Sequence, residues 1–355
     1  MKVRLYGVTV GHGSFARVTA GMREGLGHLG VFAGLVPLDA FDEEDFYPGW
    51  DAEVGVYVGP PTQIGIMASR GEHKERWLLL PPNSSWIPRA LLGRTWPHVT
   101  GYLSPSTWGA SVLRTEVEKF GRPLGESREV EVWQHGIAPE FQPDRTAEIA
   151  ARARYFGGQL SVLHMASTER ERKGTRELLQ AWTQLVHAER LGPKPRLSIV
   201  LEGRQDAFDG IVHGRAEETI TWLPRQNLAP GETADLYRAY NVVCQPSRGE
   251  GFGLCPLEAL ASGVPVVATD VTGHSEYMSG RVRGLARVPT GPLAPIDDGP
   301  GAEAPSLAPV DLAFTLYGAA VQWPDLSAEA QAGAERLRTE WAWWAVTDRW
   351  LRSRR

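Results

Sequence analysis

Glu250 and Glu258 are the residues whose type and placement could do chemistry. They stand on either side of the small, apolar run Gly251-Phe252-Gly253-Leu254 in "PSRGEGFGLCPLEALASGVPVVATD", residues 246–270. A carboxylate accepts paired hydrogen bonds from vicinal hydroxyls. Glycine-rich backbone running into a helix offers amide N–H groups to a phosphate or a sugar. Pro256 suits the first turn of a helix and Gly263 the residue just past its end. The expected helix is therefore 256–263, with Glu258 in its first turn near the positive end of the dipole. Glu250 lies on the far side of the loop, in a different environment. A strand over 264–270 follows, so the loop falls at the carboxyl edge of a parallel sheet, where ligands are expected. The bland alternative is a glycine-rich turn in which Glu258 merely favours the dipole.

The elements needed to hold this loop alternate between short apolar runs and helical stretches, the pattern of an α/β chain with parallel sheets. In the first half, strands are expected over 2–10, 52–59, 76–81, 99–106 and 130–137. Helices are expected over 15–30 and 106–121, the second with Ser106 as N-cap. Residues 138–159 interrupt with prolines, charge and paired glycines and read as a linker. The alternation restarts with strands at 160–167, 196–203, 219–224 and 242–247 and helices at 174–190 and 230–241. The proline- and glycine-rich stretch 288–309 reads as an exposed, mobile loop. The C-terminal stretch has helical composition.

At 355 residues the chain exceeds the size at which single cores stop growing, about 250–300 residues, so two domains are expected. A hydrophobic fraction of 42% and a mean hydropathy of -0.26 describe a globular protein. The N-terminus reads as a first strand and not as a signal peptide, and no apolar run reaches membrane-spanning length. Two cysteines, Cys244 and Cys255, give neither a disulfide framework nor metal spacing, which points to a reducing cytoplasm. The net charge of -5 argues against a globally nucleic-acid-binding protein. Residues 38–53 are acidic. Residues 66–122 hold Arg70, Lys74, Arg76, Arg89, Arg94, Arg114, Lys119 and Arg122 against four glutamates, either a solvated surface or a face for an anionic acceptor.

Several motifs, in order, resemble one family. "PSRGEGFGLCPLEALASGVPVVATDVTGHSEYM" resembles the Glu-x7-Glu donor motif of retaining GT-B glycosyltransferases, glycosyltransferase family 4 in particular. "VTGYLSPSTWGASVLRTEVEKFG" resembles the segment closing that family's first domain, and "VEVWQHGIAPEFQPD" its linker motif, with His135 where asparagine is common. "RKGTRELLQAW", "TITWLPRQNLAPGETADLYRAYNVVCQPS" and "TEWAWWAVTDRW" resemble, in turn, its lysine-glycine helix start, its approach to the donor site and its final Trp-containing helix. The similarity covers about residues 99–280 and the C-terminus, and fades over 31–98. It implies a GT-B fold, two Rossmann-like doubly wound α/β domains facing each other across a cleft. The boundaries would be 1–140 for the acceptor side, 141–159 for a linker, 160–326 for the donor domain, and 327–355 for a helix crossing back to the first domain.

By resemblance, Glu258 holds the ribose of a nucleoside-diphosphate-sugar and Glu250 contacts the sugar. Gly251, Phe252, Gly253 and Leu254 line sugar and phosphates, and Lys173 neutralises the diphosphate. The family's usual arginine, six residues before this lysine, is here Ser167, so Arg170 and Arg172 are candidate substitutes. Gly273 and His274 stand where the family tends to have paired glycines. In the first domain, Gly11, His12 and Gly13 occupy a strand-to-helix turn, and Asn83 and Ser84 follow a strand; these are the acceptor or cleft candidates. No first-domain carboxylate presents itself as a nucleophile, so front-face departure is favoured over double displacement. No metal and no cofactor beyond the nucleotide-sugar donor are implied. The acceptor is a glycan, a lipid or a small molecule. Hydroxylated bases in DNA are a less favoured acceptor, and the Trp-rich, Arg-ended tail leaves peripheral membrane contact open beside a structural role. Two other classes share the architecture: a sugar-nucleotide epimerase or phosphorylase, and a non-catalytic sugar-nucleotide-binding protein. Loss of transfer on Glu250 mutation separates the enzyme from the binding protein.

Overall fold

The computed structural model describes residues 1–10, 14–38, 52–60, 68–69, 72–166, 171–201, 205–278, 282–296 and 301–355. The chain forms two compact units, residues 1–138 with 340–355, and residues 139–339.

In the first unit, strands β1 (Val3–Gly7), β2 (Phe32–Pro37), β3 (Val54–Val58), β4 (Glu75–Leu79), β5 (Gly101–Ser104) and β6 (Glu129–Val132) form one parallel sheet in the order β2-β1-β3-β4-β5-β6. Its helices include α1 (Ser14–His28), α2 (Arg89–Thr95) and α3 (Thr107–Gly121). Ser106 caps α3 as expected, its Oγ accepting from the Gly109 N–H at 3.1 Å. Parallel strands buried on both faces read as unbroken apolar runs, which is why "VGVYV" was legible. The edge strand β2 was not expected; its burial is partial throughout and its sequence holds Gly34 and Pro37.

In the second unit, α4 (Arg145–Phe156) leads into β7 (Ser161–Met165), α5 (Thr175–His187), β8 (Arg196–Leu201), β9 (Ile220–Pro224), α6 (Pro230–Arg238), β10 (Val242–Gln245), α7 (Leu254–Ala261), β11 (Val266–Thr269), α8 (Ser275–Met278) and β12 (Leu285–Val288). The parallel sheet runs β12-β11-β10-β7-β8-β9. Its core is built on α5, where Leu178, Leu179, Trp182 and Leu185 face Val162, Leu197 and Ile199.

Three expectations need correction, and one helix was not expected. The expected linker is largely α4, whose start Asp144 caps by accepting from the Ala147 N–H at 2.7 Å. The 288–309 stretch is not simply exposed: β13 (Leu293–Pro295) and β14 (Glu303–Pro305) pair antiparallel, and Ile296, Ala302, Ala304 and Leu307 are buried. A helix α9 (Pro309–Val321) follows, which the proline-rich approach to it had masked. The C-terminal stretch is two helices: α10 (Trp323–Glu340) lies mostly in the second unit and α11 (Trp343–Ser353) in the first.

Within the first unit α11 packs on α1. Trp343 fills the space left by Gly21, where a Cβ would meet its ring at 1.9 Å, and Thr347 Oγ1 would meet one on Gly25 at 2.4 Å. Trp350 stacks on Trp133 with centroids 4.0 Å apart. Trp341, Trp343 and Trp350 are buried, so these tryptophans of the tail serve packing and not a lipid surface.

Candidate active site

The second sheet fixes the site by topology. The chain leaves β7 toward β8 and β9, then returns to the other side of β7 through β10, β11 and β12. Loops leaving neighbouring strands in opposite directions open a crevice at that switch point, beyond the carboxyl ends of the strands. The segment after β7 carries Arg172 and Lys173, and the segment after β10 carries Ser247 to Gly253.

These segments meet at Glu250. Its Oε1 accepts from Lys173 Nζ at 2.6 Å and Ser247 Oγ at 2.7 Å, and its Oε2 from Arg172 Nη1 at 3.2 Å. Arg172 also donates to Gly249 O at 2.9 Å. Gly174 makes the approach possible: its φ is +65°, and a Cβ there would lie 2.1 Å from Pro246 O. Burial by itself would raise the Glu250 carboxyl. The ammonium of Lys173, the guanidinium of Arg172 and nearby His274 outweigh it and hold the group well below the usual carboxylate range. Glu250 is therefore an ionised acceptor and a poor proton acceptor at neutral pH.

A second layer fixes its backbone. The Glu250 N–H donates to Thr272 Oγ1 at 3.0 Å, and the Gly273 N–H donates to Glu250 O at 2.8 Å. At Gly273 a Cβ would meet the Glu250 and Gly251 backbone at 2.5 Å, so only glycine fits. The left-handed residue here is Thr272, with φ 51°. A β-branched residue in that region is strained. The glycine-favouring conformation thus falls on Thr272 and not on His274. His274 is buried, and its Nδ1–H donates to Thr269 O at 3.0 Å. Its Nε2 has no hydrogen-bond partner among the described residues and lies against Gly253.

Gly253, with φ +82°, turns the chain directly into α7 at Leu254. The helix begins two residues earlier than the proline suggested, so Glu258 is in its second turn and not its first. Glu258 is 2% exposed and its Oε2 accepts from the Tyr237 hydroxyl at 3.0 Å. Phe252 is buried, its ring 5.4 Å from that of Tyr277, whose hydroxyl donates to Gly253 O.

The structure thus joins Lys173, Arg172, Glu250, Gly251, Gly253 and Gly273 around one loop, with Glu258 on the helix that the loop enters. Arg170, Ser167, Gly11, His12 and Gly13 lie outside the described residues. Asn83 is half-buried and Ser84 fully buried in the first unit, after β4. His135 is buried beside Trp343, and burial pulls it down to about 3, in keeping with a structural role. Sequence reading missed Ser247, Thr272, Tyr237 and Tyr277, since a single hydroxyl carries no spacing signal. It also passed over His164, which donates from Nδ1 to Cys244 O and accepts at Nε2 from Thr175 Oγ1, both at 2.9 Å.

Residues 159–298 match the family described as Glycosyl transferases group 1. The lipopolysaccharide core biosynthesis mannosyltransferase LpsB of Rhizobium meliloti is 61% identical over 154 residues, 41% of this chain and 42% of that one. A D-inositol 3-phosphate glycosyltransferase of Gordonia bronchialis is 35% identical over 116 residues, 30% of this chain and 25% of that one. The matches thus span less than half the length of these relatives. Among solved structures, a sucrose-phosphate synthase from Thermosynechococcus elongatus superposes with a TM-score of 0.70 at 14% identity, covering 100% of this chain and 98% of that one. Anabaena HepE in complex with UDP-glucose gives 0.66 at 14% identity, covering 99% of both chains. Residues 159–298 are thus similar to the glycosyl transferases group 1 family, in a chain with the two-domain α/β GT-B fold.

Proposed function

We propose that this protein is a retaining glycosyltransferase that moves a hexose from a nucleoside-diphosphate-sugar to an acceptor hydroxyl. One observation carries the reading: two cations, Lys173 and Arg172, converge on the buried carboxylate Glu250 at the switch point of the sheet. Lys173 and Arg172 would turn toward the diphosphate as the donor enters, with Arg172 supplying the charge that Ser167 does not. Charge developing on the departing diphosphate lowers the barrier most where such cations are already fixed. Side chains thus provide the positive charge, and no metal is assigned a role.

Glu250 would orient the sugar by accepting hydrogen bonds from its hydroxyls. Its depressed pKa argues against service as general base. The proton of the attacking hydroxyl would pass to the leaving phosphate, on the same face of the sugar. Glu258, whose Oε2 accepts from Tyr237, would bind the ribose hydroxyls. The mannosyltransferase name of LpsB and the UDP-glucose bound by HepE make nucleoside-diphosphate-mannoses and UDP-glucose the first donors to try, with saccharides of lipopolysaccharide core type as acceptors. Among the described residues no helix is long and apolar enough to cross a membrane.

The test is donor turnover with and without saccharide acceptors, with anomeric configuration read by NMR. Transfer with retained configuration, abolished in Glu250→Ala, supports the reading. Binding of a nucleotide-sugar without transfer to any acceptor, unchanged in Glu250→Ala, would sink it in favour of a binding protein.

A further inference from the structure

Two helices of the second unit turn apolar side chains to solvent. On α4, Ile149 and Phe156, 58% and 69% exposed, share an outward stripe with exposed Ala150 and Ala153. On α9, Val310, Phe314 and Val321 form another, Phe314 being 78% exposed, and Asp311 is the helix's one charged residue. The opposite faces are well satisfied: Ala151, Leu312, Leu316 and Ala320 lie in the core. The Tyr155 hydroxyl donates to Ala320 O at 2.9 Å, tying the C-terminal ends of the helices together. The two stripes therefore run out from a common corner at Phe156 and Val321.

Basic groups flank this corner. Arg145 and Arg152 border the α4 stripe and engage its single acid, Glu148, at 3.9 and 3.1 Å. The Arg190 guanidinium stands 5.9 Å from the ring centroid of Tyr317 on α9. The Lys194 N–H donates to Gly158 O at 3.2 Å, placing this exposed lysine just beyond Phe156. Glu189, the nearby acid, is paired with Arg215 at 3.0 Å.

We propose that the α4–α9 face docks this unit onto an anionic lipid surface. Exposed phenylalanines ringed by arginine and lysine, with Glu148 and Glu189 held in ion pairs and Asp311 the one acid of α9, match the chemistry of a bilayer interface: rings enter the acyl boundary while guanidinium and ammonium groups meet lipid phosphates. A second copy of this chain fits less well, because a two-fold contact sets the same patch against itself and brings the basic groups face to face. The proposal does not depend on the transfer reaction.

The test is co-sedimentation of the full chain with phosphatidylglycerol-containing vesicles and with phosphatidylcholine vesicles. Binding to the first, weakened by salt and absent with the second, is expected. Losing one inserted phenylalanine weakens partition about tenfold, so Phe156→Ser/Phe314→Ser falls to background. Arg190→Glu/Lys194→Glu weakens binding while the apolar residues remain. All four side chains are exposed, and unchanged circular dichroism and melting confirm the variants' fold. Failure of the unmutated chain to bind, equal binding by the phenylalanine variant, or a solution dimer dissolved by that variant would each overturn the proposal.

Discussion

Lys173 Nζ lies 2.6 Å from Glu250 Oε1 although 77 residues separate them in the chain. Their segments leave β7 and β10, adjacent strands whose connections run in opposite directions. Lys173→Ala leaves a buried carboxylate with only Arg172 and Ser247, and should lower unfolding stability by about 1–3 kcal/mol. If Lys173 acts at the leaving group as proposed, the same change should lower kcat by about 10²–10³-fold, since it removes one fixed charge there. The double variant Lys173→Met/Glu250→Gln removes both charges. Urea unfolding should then return much of the stability while turnover stays lost.

Tyr237 makes a second prediction. Its hydroxyl fixes one oxygen of Glu258, and such an intramolecular hydrogen bond contributes about 0.5–1.5 kcal/mol. Tyr237→Phe should weaken nucleoside diphosphate binding by about tenfold in calorimetry, with a smaller effect on kcat at saturating donor. A loss of kcat with unchanged nucleotide affinity would place Glu258 elsewhere than on the ribose.

Stability should fall as pH drops below about 6.5, the ordinary histidine value. Burial draws His135 down to about 3, His164 to about 4, and His274 below its usual range as well. Between the unfolded and folded values the unfolded chain binds the extra protons, so each histidine costs about 1.4 kcal/mol per pH unit on acidification. Glu250 is depressed, so its contribution is fully present above the ordinary carboxylate range and lost only in stronger acid. Urea midpoints at pH 7.5 and 5 measure the histidine effect; His164→Gln, which can keep one of the two hydrogen bonds, should flatten it.

The glycine-rich loop around Glu250 was legible in the sequence because its constraint is steric and local: glycines where backbone must turn or approach, and carboxylates around them. Alternating apolar runs likewise exposed most of the parallel strands. Arg172's place at Glu250 was not decidable, since its neighbour Arg170 has the same chemistry, and only the fold puts Arg172 on a carboxylate. Glu258 shifted by part of a turn because Gly253, not Pro256, starts the helix. α9 stayed hidden behind prolines, and β2 behind its own weak apolar pattern.

Gly253 and His274 should be coupled. At Gly253 φ is +82°, and a Cβ would stand 2.1 Å from the His274 ring. Gly253→Ala should therefore cost about 1–3 kcal/mol from backbone strain and overlap. His274→Ala in the same chain removes the overlap but not the strain, so thermal melting should recover in part. Full recovery would show that the left-handed turn costs alanine little here.

Thr272 holds the remaining tension of the loop. Its hydroxyl accepts the Glu250 N–H while its backbone sits at φ 51°. Thr272→Gly relieves the backbone and gives up the acceptor, two effects of opposite sign, so its melting temperature should change little. Thr272→Val keeps the strain and strips the acceptor from a buried N–H, at about 1–3 kcal/mol. If the hydroxyl also sets the position of the Glu250 carboxylate, donor turnover should fall in both variants while Thr272→Ser keeps it. Turnover that tracked stability alone across the three would leave Thr272 a structural part of the loop.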